Sequence, residues 1–407
     1  MTLTEKQRGD LLNKIDGLVS TKFYDPKFKG HDWKAIVENH RSRILSAKGS
    51  EGFEAEVNNM LRELGSSGLG LISSSTKITP KNAISATLRV TDTEHGRRWA
   101  FQDVHSGGPA AVAGIKSGDV LLRIGDHEVA DSDKPLFPMA QTHRVTIGTV
   151  TGTASVDLVT PGAKHKENPC AVPDPVKIET VQGVPVVKVP LFPGQLGIDF
   201  ARDVSRVFDS QVNGAKSLVL DLRGNPGGGL GGLRLMSHLV PDKRPIGFSV
   251  DRSKAESGYE KESFPRFDRI PKSKLEVPLL ALRFATKKSV VLVTEGLGSR
   301  QFHGRIVVLI NEHTTCASEM VAQFAREQAG ATIVGMATPG RLVSHTGFKL
   351  GYGLTLALPV AAYVSWEGTS LDGTGITPDL KVDWSYSDIR AAVDPQLLAA
   401  VRWTREM

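Results

Sequence analysis

The chain has 407 residues, of which 40% are hydrophobic, 23% charged and 6% aromatic, and it carries a formal net charge of +6. That balance excludes a disordered or fibrous protein and supplies enough apolar side chains for two or three packed domains. The basic surplus is scattered among Asp and Glu rather than gathered on one helix or with aromatic residues, which argues against a nucleic-acid partner. No apolar run approaches the roughly 20 residues of a membrane helix, so no membrane partner is expected.

Between Met1 and Ser20, Lys6, Arg8, Asp10, Lys14 and Asp16 alternate with leucines, a pattern that predicts an amphipathic helix and not a signal peptide. With no secretory signal, and with Cys170 and Cys316 far apart in sequence, reduced thiols and a cytoplasmic location are the expectation. Residues 1–65 read as a helical cap. Helices are predicted from Leu11 to Ser20, from Trp33 to Ile44 behind the capping residue Asp32, and from Phe53 to Leu64, where Phe53, Val57, Met60, Leu61 and Leu64 form one stripe. Residues 66–162 turn to short strands punctuated by Gly and Ser, and the proline-rich polar stretch 163–176 reads as a linker. From 177 to 407 strands alternate with helices, the pattern of an α/β core. The chain contains no internal repeat.

Two junctions in the last region invite chemistry. Lys216-Ser-Leu-Val-Leu-Asp-Leu-Arg reads as a buried strand that opens into Gly224-Asn-Pro-Gly-Gly-Gly229, flexible backbone at the carboxyl edge of a sheet. A phosphate cradle is the competing reading of these glycines, but the Lys-Ser/Thr ending is missing. Further on, Ile306 to Ile310 is apolar without alternation, which predicts a strand covered on both faces. Met320, Val321, Phe324 and Ala325 then predict a helix over 317–329 that Gly330 ends. Cys316 stands at the start of that helix, where backbone N–H groups and the helix dipole favour a thiolate and can hold an oxyanion. The plain alternative is a cysteine acting as a small buried hydrophobe.

The segment Gly68-Leu-Gly-Leu, followed by Gly108-Pro-Ala-Ala-Val-Ala-Gly-Ile-Lys-Ser-Gly-Asp119, resembles a PDZ domain of the permuted kind found in bacterial proteases. The resemblance implies that Gly68, Leu69, Gly70 and Leu71 bind a peptide carboxylate and that the module takes peptides as an added strand. Nearly the whole chain resembles the carboxyl-terminal processing (tail-specific) peptidases and their tricorn-like branch. The motifs are Asp221-Leu-Arg-Gly-Asn-Pro-Gly-Gly, Thr315-Cys-Ala-Ser-Glu, Val334-Gly-Met-Ala-Thr-Pro-Gly-Arg and Gly373-Thr-Gly-Ile-Thr-Pro-Asp. The resemblance implies an α/β multidomain architecture: a helical cap, a PDZ-like β-rich module and a crotonase-like peptidase core. It also implies Cys316 as nucleophile, an oxyanion hole from Ala317 and Gly227 or Gly228, and a peptide or protein C-terminal segment as substrate.

Two positions depart from that pattern. The tail-specific lysine base corresponds to Arg341, which cannot accept a proton. The tricorn-like histidine after Leu64-Gly-Ser-Ser67 corresponds to Gly68, and the accompanying acid to Asp372. A thiol with an ordinary pKa near ~8.5 needs far less activation than a serine hydroxyl, and the Arg341 guanidinium pushes the same way. The general acid is then sought at His345 or His313, with His303 and His105 ranked lower. Glu319 is expected to cap or orient, Asp221 and Arg223 to form a structural ion pair, Asn225 to hold the glycine turn and Asp119 to be structural. No Cys/His spacing suits a metal and no cofactor motif is present, so neither is expected. A catalytically inactive peptide-binding scaffold and an acyl-transfer or hydrolytic enzyme of specialised metabolism are the other function classes, and the sequence leaves the oligomeric state open.

Overall fold

The computed structural model describes residues 3–73, 83–162, 175–278 and 289–406. Cys170 and most of the expected linker lie outside them. The described residues build three six-stranded sheets.

The central sheet runs in the order Leu380–Lys381, Thr332–Gly335, Arg305–Ile310, Ser217–Asp221, Val184–Lys188, Lys177–Val181. Its pairings are parallel except for the hairpin that joins the last two strands. Both faces of its middle strands, Ser217–Asp221, Arg305–Ile310 and Thr332–Gly335, are covered, which is why these strands show no polar alternation. Leu218, Leu220, Ile306, Val308, Ile310 and Ile333 point into one core with Phe200, Val204, Met320, Val321 and Phe324. Val219, Val307, Leu309 and Val334 point into the other with Leu397, Ala400 and Val401 of the helix Pro395–Glu406. The helix expected after the strand at 306–310 spans Ala317–Ala329 and ends at Gly330, whose φ of 62° suits a residue without a Cβ.

The second sheet is organised on the long strand Leu354–Ser365. Its Leu354, Leu356 and Leu358 pack under the cap, whose helices are Glu5–Lys22, Trp33–Ser46 and Gly49–Arg62. Asp32 caps the second helix by accepting from the Ala35 N–H at 3.1 Å, as its position predicted. The segment Gly68–Leu71 requires a correction. Gly70–Ser73 is an antiparallel edge strand on Leu354–Ala357, and the Leu71 side chain is buried with the cap cluster, so these residues do not belong to the middle module. Apolar complementarity to the cap outweighed the sequence likeness there.

The third sheet is the middle module, with strands Ala86–Thr93, Gly96–Val104, Val120–Ile124, His127–Glu128, Thr142–Thr149 and Gly152–Val159 around a separate core that includes Phe101, Leu121, Val145 and Ile147. Asp119 closes a turn by accepting from the Lys116 N–H at 2.8 Å, a structural role as expected. The module sits on the central sheet's carboxyl edge. Asp103 accepts from Asn311 Nδ2 at 2.8 Å, and Arg89 pairs with Glu312 at 3.2 Å.

His238 lies fully buried, stacked on Phe208 with a ring separation of 4.6 Å, and burial holds its imidazole down to about 4 from an ordinary 6.5. Below about pH 6.5 the unfolded chain takes up a proton that the folded chain refuses until about pH 4, so this group costs stability as pH falls through that window and nothing above it. Urea titrations at a series of pH values should therefore show stability declining from pH 6.5 to pH 4, and His238→Gln should flatten that slope by about one proton per molecule.

Candidate active site

Ser217–Asp221 and Arg305–Ile310 are parallel neighbours with Asp221 opposite Leu309, so the loops that follow them leave the sheet at the same edge. The first loop is anchored by charge. Arg223 grips the Asp221 carboxylate at 2.7 Å and Asp394 at 2.8 Å, and although burial opposes it, the guanidinium holds Asp221 below the usual carboxylate range. Asn225, fully buried, donates to the Val189 carbonyl at 2.7 Å and accepts from the Gly227 N–H at 2.8 Å, which sets the glycine turn. The second loop is stitched to the first. Asn311 Oδ1 accepts from the Gly224 N–H at 3.0 Å, Thr314 Oγ1 donates to the Leu222 carbonyl at 2.8 Å, and the Thr315 N–H donates to the Asn225 carbonyl at 2.9 Å.

Cys316 follows as the cap of the helix Ala317–Ala329, with φ 61° and ψ −123°, a conformation rarely adopted by residues with a side chain. Its N–H donates to Glu319 Oε2 at 2.9 Å, while its carbonyl accepts from the Glu319 N–H at 3.0 Å. The Glu319 carboxylate is fully buried and also accepts from Thr338 Oγ1 at 2.6 Å, the Gly340 N–H at 2.7 Å and the Arg341 N–H at 2.8 Å. It therefore orients the cysteine and pins the 338–341 turn beside it. Gly227 presses against Cys316 from the other side: a Cβ there would stand 2.7 Å from the Cys316 Cβ and 2.9 Å from the Ala317 nitrogen. Only glycine fits, since its φ of 90° also excludes a side chain.

Cys316, Ala317 and Gly228 open on a cavity of about 1110 Å³ lined also by Phe192, Leu230, Leu292, Met320, Leu342 and Tyr363. The other expected residues are distributed around it. Arg341 reaches Glu319 through its backbone, but its side chain is exposed, where solvent screens the pull on a thiol that the sequence reading assigned to it. His345 is exposed and lies on the strand Val343–Gly351, whose Val343 and Ser344 line the cavity. His313 is half-buried, and its Nε2 has no hydrogen-bond partner among the described residues. Asp372 is buried at the foot of the cap, where it accepts from Tyr24 Oη at 2.9 Å, Ser66 Oγ at 2.8 Å and Ser67 Oγ at 2.8 Å, and pairs with Lys29 at 3.3 Å. His105 packs against Gly224, and His303 accompanies Gln301 at 2.9 Å. Among the described residues no cluster of His, Cys, Asp and Glu could hold a metal.

Residues 183–382 match the model of Peptidase family S41. That match covers just under half of the chain, and over it the core is similar to that family. The chain is similar to Carboxyl-terminal-processing peptidase 3, chloroplastic, of Arabidopsis thaliana, with 22% identity over 90% of this chain and 67% of that protein. It is also similar to the Carboxyl-terminal-processing protease of Synechocystis sp. (strain ATCC 27184 / PCC 6803 / Kazusa), with 22% identity over 98% of this chain and 87% of that protein. Among solved structures, the photosystem II D1 C-terminal processing protease superimposes with a TM-score of 0.54 and 18% identity over 99% of this chain and 97% of its own, a likeness of fold.

Sequence reasoning missed three parts of the site. Asn311, which joins the module to the glycine turn, carries only the weak signal of a polar residue closing an apolar strand. The cavity wall from Phe192 to Gln195 is marked in sequence by no more than Pro193-Gly194. The reach of Glu319 to Thr338 and Gly340 crosses about twenty residues that no local pattern links. Glu319→Ala leaves the buried Gly340 N–H and Thr338 hydroxyl, and the part-buried N–H groups of Cys316 and Arg341, without an acceptor, so it should destabilise the fold by roughly 2–4 kcal/mol in urea titration. A cycle with Thr338→Val should be non-additive.

Proposed function

We propose that this chain is a peptidase of the carboxyl-terminal processing type that cleaves peptide bonds through an acyl-enzyme on Cys316. The reading is carried by one observation: Cys316 caps a helix with the Gly227 backbone against it and faces a large apolar cavity. The thiolate attacks the peptide carbonyl carbon, and the developing oxyanion is met by backbone N–H groups. Gly227 spends its N–H on Asn225, so Ala317 and Gly228 are the donors in this mechanism. The leaving amine takes a proton as the C–N bond breaks, and water then hydrolyses the thioester.

His345 is the residue we assign to protonate that amine. In the tricorn-like pattern the histidine stands at position 68; here position 68 is glycine, and a Cβ on it would lie 3.5 Å from His345 Nδ1. The imidazole of His345 thus occupies the space over Gly68, beside Ser67, whose N–H and hydroxyl are held by Asp372 at 3.0 and 2.8 Å. The middle module, in the PDZ-like reading, holds the peptide and couples to the glycine turn through Asp103 and Asn311. A cytoplasmic peptide or protein C-terminus is the substrate class.

The exposure of Arg341 and His345 favours a second reading, a scaffold that binds peptides without turnover. Activity decides between them. Cys316→Ala should lower kcat by roughly a thousandfold or more with an unchanged melting temperature, and iodoacetamide should alkylate Cys316 in the wild-type protein at a pH below the ~8.5 midpoint of a free thiol. Full turnover by Cys316→Ala would remove the mechanism, whereas peptide binding with no cleavage by the wild type would establish the scaffold.

A further inference from the structure

A second cavity, of about 300 Å³, lies where the middle module meets the carboxyl edge of the central sheet, and it shares no described lining residue with the cavity at Cys316. Two of its lining residues, Lys188 and Asp221, stand opposite each other at the ends of parallel neighbouring strands. Crevices outside the carboxyl ends of such strands are where open α/β sheets take ligands. The module contributes Gln102, and the segment after the strand Leu380–Lys381 contributes Trp384.

The charged side chains of this cavity already have partners. Arg223 holds Asp221 at 2.7 Å and Asp394 at 2.8 Å, Lys188 pairs with Glu179 at 2.7 Å, and Asp103 accepts from Thr87 Oγ1 at 2.6 Å and Asn311 Nδ2 at 2.8 Å. Desolvation pushes the His105 imidazole below its ordinary range, so it is uncharged near neutral pH. The groups left over are neutral. Gln102 is 3% exposed, and neither its Nε2 nor its Oε1 has a hydrogen-bond partner among the described residues; Trp384 is 8% exposed, and its indole Nε1 has none either. Buried amide and indole groups are ordinarily paired, and leaving them bare costs stability. A carboxamide presents a donor and an acceptor side by side, whereas an indole N–H only donates.

We propose that this cavity binds a small neutral molecule with a planar amide edge, a carbonyl oxygen beside an N–H, which pairs with the Gln102 carboxamide through two hydrogen bonds while a second oxygen or ring nitrogen accepts from Trp384 Nε1. At the roughly 30 Å³ that each water takes in the liquid, the space holds about ten non-hydrogen atoms, the size of a single substituted ring. A free carboxamide and a nucleobase both present such an edge. Gln102 belongs to the module and Trp384 to the core, so the occupant bridges the two.

Nicotinamide and uracil are the probes, with benzoate and benzylamine as anionic and cationic counterparts. Each is titrated into protein isotope-labelled at the tryptophan indole nitrogens, the Trp384 resonance being the one that Trp384→Phe lacks, and affinities are measured by calorimetry for the wild type, Trp384→Phe and Gln102→Met. A saturable shift of the Trp384 resonance with nicotinamide or uracil is expected, with affinity falling roughly tenfold or more in whichever of the variants keeps the wild-type melting temperature. Binding of nicotinamide alone assigns a carboxamide ligand, and binding of uracil alone a nucleobase. Absence of a saturable shift with both probes, which would leave water as the partner of Gln102 and Trp384, tighter binding of benzoate or benzylamine, or undiminished affinity in a folded variant would overturn the site.

Discussion

The Glu319 carboxylate ties the start of its own helix to a turn about twenty residues further along the chain. It receives the N–H of Cys316, and with it the strained start of a helix; it receives Thr338, Gly340 and Arg341, and with them the turn beyond the next strand. A carboxylate removed from water is costly unless its lone pairs are filled, and four donors fill these. The same contacts that satisfy the charge fix the direction of the cysteine, so satisfaction of the core and placement of the sulfur are one requirement. Across the cavity mouth, Asn225 performs the complementary task for the glycine turn by holding Gly227 with its side chain.

Parallel pairing makes this convergence possible. Strands that run the same way end at the same edge, and Asp221 and Leu309 stand side by side with both faces of their sheet covered by apolar side chains. The backbone beyond them is freed from the ladder at one place, where the glycines can turn N–H groups outward and a helix can begin. The cap and the module then close around that edge by different means. Leucines of the second sheet bury the cap, while the module is seated by polar contacts from Asp103 and Arg89. Glu94 adds to these by accepting from Tyr386 and pairing with Arg390.

The proposed cysteine mechanism has a consistent physical account. A thiol needs less help than a hydroxyl to become a nucleophile, which relaxes the demand for a strong base beside it. Gly68 leaves a space that the imidazole of His345 fills. Asp372 is engaged with Ser67 and, through Tyr24, with the cap.

The periods of the apolar residues and the placing of Asp32 and Gly330 determined the cap helices, the doubly covered strands and the helix behind Cys316, because burial of one face or two is written directly into spacing. The ion pair of Asp221 with Arg223, the turn held by Asn225 and the orienting role of Glu319 were legible for the same reason: each acts within a few residues of itself. What only the tertiary structure decided is everything that acts across the chain. Gly70–Ser73 joined the second sheet instead of the module, Arg341 turned its side chain to solvent, and His345 came to lie over Gly68, because hydrophobic complementarity and the satisfaction of buried polar groups between distant segments leave no periodic trace in sequence.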